Sequence, residues 1–332
     1  LRTLVVSDLH LGAGPRRSVL EEPAAVAKLA TAVAGSDRLV LLGDIVDLRE
    51  RRSKDALAAA SRVIPDLTSA LGPRSELILV PGNHDHQFMA RSELGDELRR
   101  LLARDGADVK VEYPGVWLRE DVYAHHGHYL DLHTRTPAFE RLAAGAMARF
   151  LKVRASEMVS AEDYERVLAP IYAWMYEITQ TGGGEAEAGE GGASMRLLDR
   201  IRSGNPLEVV ALQAGVRAVV AAVSRAGLGP LSGDLSDAQL RRASLIAYGD
   251  VLSVLGVNPS YALFGHTHRA GPLAGDDLGE WITPFGVQLM NTGSWVHELF
   301  VLEYSRENPY RAGFAVELDA TGPPRLVNLL DD

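Results

Sequence analysis

The chain has 332 residues, enough for one large domain or two ordinary ones, with 46% hydrophobic and 23% charged residues, as in soluble globular proteins. Its net charge of −10 argues against a nonspecific nucleic-acid binder. The absence of cysteine excludes disulfides, thiolate metal sites and cysteine nucleophiles, and it fits the cytoplasmic location expected here.

In chain order, short apolar runs end in clusters of Asp, Asn, His and Gly. Leu4-Val5-Val6 leads to Ser7-Asp8-Leu9-His10. After a helix-like stretch from Ala24 to Val33, Leu39 to Leu42 lead to Gly43-Asp44-Ile45-Val46-Asp47. Asp55 to Leu71 again reads as helix, and Leu77 to Val80 then lead to Pro81-Gly82-Asn83-His84-Asp85. Val122-Tyr123-Ala124 leads to His125-His126-Gly127-His128. From Asp131 to Leu245 the pattern changes to a near-neutral, helix-like insert. Phe139 to Leu151, Ala161 to Gln180 and Leu207 to Ala226 are its best helix candidates, with a glycine-rich flexible linker at 182–193. The most apolar stretch, Val209 to Val223, is interrupted by Gln213 and Arg217 and is too short to span a membrane. Tyr261 to Phe264 lead to Gly265-His266-Thr267-His268. Phe314 to Leu318 and Arg325 to Leu330, around Ala320-Thr321-Gly322-Pro323-Pro324, predict a closing β-hairpin.

Apolar runs of about four residues alternating with helical stretches predict an α/β fold with a partly parallel sheet. Ligands of such sheets bind beyond the carboxyl ends of the strands. All five clusters sit at those ends and should converge.

The clusters suit phosphoester hydrolysis. Two cations about 3.5–4 Å apart can generate a nucleophile, neutralise the phosphoryl charge and stabilise the leaving oxygen. Asp8 and His10 lie two apart, so an extended segment would turn both to one side. His266 and His268 repeat the spacing, Asp44 follows a glycine, Asn83 offers a neutral carbonyl oxygen and His126 an imidazole. This mixed nitrogen and oxygen set suits manganese, iron or zinc rather than calcium or copper(I).

The series Asp8-x-His10, Gly43-Asp44-x-x-Asp47, Gly82-Asn83-His84-Asp85, His126-Gly127-His128 and Gly265-His266-Thr267-His268 resembles the signature of the calcineurin-like metallophosphoesterase superfamily. The resemblance implies a four-layer α/β/β/α sandwich, with a core over 1–130 and 246–332 and a helical cap inserted at 131–245. It implies one metal on Asp8, His10, Asp44 and His268 and a second on Asp44, Asn83, His126 and His266. The metals would be two divalent ions, manganese first, with iron, zinc, nickel or cobalt as alternatives. His84 would bind no metal and act on the leaving oxygen, oriented by Asp85. The implied reaction is hydrolysis of a small phosphomonoester or phosphodiester by in-line attack of a metal-bridging hydroxide.

The Gly43-Asp44-x-x-Asp47 form with a helical insert is similar to the UDP-2,3-diacylglucosamine hydrolase branch. That points to a substrate with an apolar portion and leaves room for peripheral membrane contact, with no nucleic acid as partner. The rival reading is a noncatalytic scaffold, which would be expected to lose ligands. Because the metal residues all lie outside 131–245, the insert is expected to be separable from the chemistry.

Other residues keep two readings. His125 and His128 are either substrate neighbours or structural, while His86, His133 and His297 are expected to be structural or exposed. Asp47 is either a partner of a site residue or a helix cap. Arg269 contacts phosphate or is exposed, and exposure is expected. Asn291 to Ser294 close the site or form a plain turn. The run Ile171 to Ile178 is a packed helix face or an apolar wall over the metals.

Overall fold

The computed structural model describes residues 1–14, 17–103, 108–134, 147–148, 154–181, 237–298 and 305–331. The expected helix from Leu207 to Ala226, the linker at 182–193 and all but 147–148 of the expected helix from Phe139 to Leu151 lie outside the described residues.

The strands are β1 (Thr3–Val6), β2 (Arg38–Leu42), β3 (Glu76–Val80), β4 (Asp108–Val111), β5 (Gly115–Arg119), β6 (Val122–His125), β7 (Tyr261–Phe264), β8 (Gln288–Asn291), β9 (Phe314–Leu318) and β10 (Arg325–Asn328). The helices are α1 (Pro23–Ala34), α2 (Ser53–Ala70), α3 (Gln87–Ala90), α4 (Ser92–Leu102), α5 (Ala161–Gln180) and α6 (Asp237–Val254). One sheet has the order β10-β9-β1-β2-β3-β4 and the other β5-β6-β7-β8. Strands β1 to β4 run parallel, and the hairpin β9–β10 closes the larger sheet antiparallel to β1. The fold is thus mixed α/β, with two sheets flanked by helices.

Strand alternation divides the apolar residues between two cores. Val5, Val40, Leu42, Ile78 and Val80 of the larger sheet meet Leu118, Val122, Ala124 and Leu263 of the smaller. On the opposite face, Leu4, Val6, Leu39, Leu41, Leu77 and Leu79 pack with Leu29 and Val33 of α1, Leu57 and Ile64 of α2, and Leu98 of α4. Both faces of the central strands are buried, so their sequences are continuous apolar runs.

By contact the chain forms two units. The first is Leu1–His128, Tyr172–Ala186 and Pro259–Asp332, and the second is Tyr129–Ile171 and Glu187–Asn258. The boundary falls inside α5, so Tyr172 to Gln180 group with the sheets and not with the rest of the insert. In the second unit, the Tyr129 and Tyr164 rings stack at 4.3 Å, and His133 Nε2 lies 2.6 Å from the Tyr164 hydroxyl.

Trp295 is fully buried and fixes the end of β1 to the closing hairpin. Its backbone N–H donates to the Asp8 carbonyl and its indole N–H to the Phe314 carbonyl, each at 3.0 Å. Trp295→Ala should therefore lower the unfolding free energy by about 3–5 kcal/mol, the range for deleting a buried aromatic ring. Chemical denaturation of the full chain measures this, and a loss below about 1 kcal/mol would contradict the buried anchoring role.

Candidate metal centre

Beyond the strand ends, the parallel pairing of β1 with β2 continues into the loops. The N–H groups of Asp8, His10 and Leu11 donate to the carbonyls of Gly43, Asp44 and Ile45 at 2.9–3.0 Å. The Gly265 N–H donates to the His126 carbonyl at 2.9 Å, and the Leu48 N–H to the His84 carbonyl at 3.3 Å. All five clusters are thereby joined through backbone bonds or side chains.

Among the described residues, six non-glycine residues have positive φ, and five of them are Asp8, His10, Asp44, His266 and His268. Such backbone costs on the order of 1–3 kcal/mol per residue and concentrates at functional sites. This corrects the expectation of an extended Asp8–His10 segment. Both residues are left-handed, at φ 54° and 45°, because the loop must turn each side chain back over the strand ends. Two glycines permit the close approach. A Cβ at Gly43 (φ +83°) would lie 2.2 Å from His126 Nδ1, and one at Gly265 would lie 2.4 Å from Asp8 Oδ2.

Three of the imidazoles are held by one nitrogen and present the other. His10 Nδ1 donates to Asp47 Oδ2 at 2.9 Å and His126 Nδ1 to the Leu42 carbonyl at 2.9 Å. His268 Nδ1 is bonded to Glu298, a buried carboxylate that no sequence pattern marks. An imidazole tethered in this way by a carboxylate or carbonyl is the usual state of a metal ligand. The Nε2 atoms of His10 and His268 lie 3.1 Å apart. Asp8 Oδ1 is 3.2 Å from the latter and 3.8 Å from the former. Asp8 Oδ1 is also buried with no hydrogen-bond partner, while Oδ2 accepts from the Ser7 hydroxyl and the His266 N–H.

Asp44 lies between two groups of donors. Its Oδ1 accepts the His84 N–H at 2.8 Å, and its Oδ2 is 3.2 Å from His126 Nε2 and 3.9 Å from His10 Nε2. The Asn83 amide lies 3.2 Å from Asp44 Oδ2 and 3.1 Å from His266 Nδ1. With its nitrogen inward it donates to both and its oxygen accepts from Arg49 at 2.6 Å; with its oxygen inward it joins a set of acceptors suited to a cation. Among the described residues, three groups have the geometry to hold an ion: Asp8 with His10 and His268, Asp44 with His126 and His266, and His10 with Asp44 and His84.

The carboxylate beside His84 is Asp47. Asp47 Oδ1 is 3.1 Å from His84 Nδ1 and accepts the N–H groups of Arg49 and Glu50. Asp85 does not take the orienting role expected of it. Its two oxygens accept the N–H groups of Gly82 and Ile45, both at 2.7 Å, because burial directs it to the orphan donors of the two loops. Arg269 is buried, not exposed: it pairs through two nitrogens with Asp276 and lies over Trp281. Asn291 to Ser294 are more than a plain turn. The Asn291 amide donates to the Gly265 carbonyl and Thr267, and Thr292 and Ser7 share a 2.5 Å hydroxyl contact. His125, His128 and His86 are buried, with the His128 ring 5.5 Å from that of His126, whereas His297 is half-exposed.

Burial opposes charge on His10, but Asp47 and Asp8 outweigh it and raise its pKa to about 9. Against the same penalty, Asp44 and Asp8 raise His126 to about 9, and Glu298 and Asp8 raise His268 to about 10. Burial likewise opposes ionisation of Asp8 and Asp44, yet the surrounding imidazoles hold both well below the usual carboxylate range. Burial lowers His84 and, with the neighbouring Asp44 charge, raises Asp85 to about 6.

Metal binding requires neutral imidazoles, so protons retained up to those raised pKa values must leave on loading. Affinity for manganese(II) should therefore rise with pH up to about pH 10, with net proton release. Calorimetric titration in buffers of different ionisation enthalpy counts the protons. A pH-independent affinity with no release would contradict this assignment of the imidazoles.

The profile of the calcineurin-like phosphoesterase family matches residues 1–157 and singles out no branch of that family. No curated protein matches the chain. Among solved structures, a dimetal phosphatase from Danio rerio is similar at 14% identity over 99% of each chain, with a TM-score of 0.41. Among the described residues, no helix is long and apolar enough to cross a membrane. Residues 1–157 are thus similar to the calcineurin-like phosphoesterases, and with the three candidate ion-holding groups this supports a metal-dependent phosphoester hydrolase.

Proposed function

We propose that the centre holds two divalent cations and hydrolyses a small phosphomonoester or phosphodiester. The observation that carries this reading is the pair of tethered imidazoles, His10 and His268, whose Nε2 atoms converge on the orphaned oxygen of buried Asp8. Asp8, His10, Asp44 and His268 would hold one cation, and Asp44, Asn83, His126 and His266 the other. When bound, the cations would supply a water of lowered pKa and neutralise the phosphoryl charge, with manganese the first metal to test.

The remaining roles fall to the chain's own groups. His84 reaches the surface more than Asp44 does, with its Nε2 4.0 Å from Asp44 Oδ2. A phosphate arriving beside it would add negative charge and offset the burial that lowers its pKa. His84 can then protonate the leaving oxygen, with the Asp47 carboxylate beside its Nδ1 at 3.1 Å. The Arg49 guanidinium lies beside Asn83 and adds positive charge at the same edge.

Chelation should abolish hydrolysis of an aryl phosphate and added manganese restore it. A verified metal-free sample with full activity would end the reading, and a metal-loaded one inactive across phosphomonoesters and phosphodiesters would favour a scaffold. Asp44→Asn should deplete both metals, which elemental analysis measures, whereas Asp8→Asn should deplete mainly one. His84→Asn should lower kcat by about 10²–10⁴-fold with metal content retained, the range for general acid–base catalysis. That loss should be larger on an alkyl ester than on an aryl ester, and equal losses would argue against proton donation.

A further inference from the structure

The segment Tyr172–Gln180 falls within the insert by sequence and within the first unit by contact. Its inward residues meet the loops that carry the metal centre. The Tyr172 ring lies 5.3 Å from that of His86, just after Asn83-His84-Asp85, and 5.9 Å from that of His128, just after His126. The Tyr176 hydroxyl is 2.8 Å from Ser53 Oγ, and Gln180 Oε1 accepts from the N–H of Ser53, the first residue of α2, at 2.9 Å. Arg91 lies over the Tyr176 ring and pairs with Glu177.

Thr179 is buried, and its hydroxyl donates to the Arg49 carbonyl at 2.5 Å, closer than to the Met175 carbonyl one turn back at 3.1 Å. The Arg49 carbonyl and the Glu50 N–H are opposite ends of one planar peptide. Thr179 holds the oxygen end, and Asp47 Oδ1 accepts the hydrogen end at 2.8 Å. Asp47 in turn touches His10 and His84. Without the Thr179 bond that peptide can rotate, and the Glu50 N–H loses its aim at Asp47.

We propose that Thr179 is a positioning residue for Asp47 and, through it, for His84, so that Tyr172–Gln180 belongs to the working centre rather than to a separable cap. The inference rests on the reading of His84 as the group that protonates the leaving oxygen. It reverses the expectation that all of 131–245 can be removed without touching the chemistry.

The test compares Thr179→Val and Thr179→Ser in the metal-loaded full chain. Thr179→Val should speed hydrogen exchange of the Arg49 and Glu50 amides and lower kcat by about threefold to tenfold, the value of one hydrogen bond. KM and metal content should stay within about twofold of wild type, and the loss should be larger on an alkyl than on an aryl ester. Thr179→Ser keeps the hydroxyl and should restore both exchange and kcat. If Thr179→Val does not melt cooperatively, Thr179→Ala removes the same bond and carries the same expectations. Unchanged amide exchange with unchanged kcat would overturn the inference, as would a loss that serine does not restore. Faster exchange in a chain with no metal-dependent hydrolysis would support the positioning role and sink the functional reading instead.

Discussion

Everything in the first unit answers to one electrostatic constraint: Asp8, Asp44 and Asp47 are buried within a few ångströms of His10, His84, His126 and His268. Buried charge is costly unless each group is paired and hydrogen-bonded. The chain meets that cost with fixed donors. Backbone N–H groups of His84, His266, Arg49 and Glu50 point at carboxylate oxygens, while Asp47, Glu298 and the Leu42 carbonyl tether the outer nitrogens of three imidazoles. Donors can be aimed so closely only from short loops, and those loops adopt left-handed backbone at Asp8, His10, Asp44, His266 and His268. The closed apolar layers on both sides of the large sheet hold that strain in place.

What could be read from the sequence was whatever local pattern encodes. Continuous apolar runs gave away β1, β2, β3, β6 and β7 because strands buried on both faces need no polar side, and the Gly322-Pro323 turn marked the β9–β10 hairpin. The polar clusters were legible because they follow those strands directly. Asp47 could not be chosen over Asp85 as the neighbour of His84, since sequence adjacency favours Asp85 while the loop path delivers Asp47. Left-handed φ at Asp8 and His10 is only weakly encoded: Asp and His are enriched there among non-glycine residues, yet few of them adopt it. Glu298 stands 30 positions after His268 in no pattern, and its partnership exists only in three dimensions. The periodicity of Ala161 to Gln180 identified a helix but not that its final residues group with the sheets, because apolar spacing names a buried face without naming what covers it.

The loop from Gly43 to Glu50 is where these constraints meet. It supplies Asp44, whose two oxygens face different groups of donors, and Asp47, which touches two histidines. A loop with that many obligations must be held from several directions. The β1 side grips it through Leu11, whose N–H donates to the Ile45 carbonyl and whose carbonyl accepts the Asp47 N–H. From the β3 side, Asp85 accepts the Ile45 N–H and the His84 carbonyl accepts the Leu48 N–H. Those contacts fix its first six residues and leave the peptide after Arg49 to Thr179 on one side and Asp47 on the other. A threonine on a neighbouring helix supplies the missing donor and needs no metal ligand of its own. The insertion can therefore bear on the chemistry although every proposed ligand lies outside it.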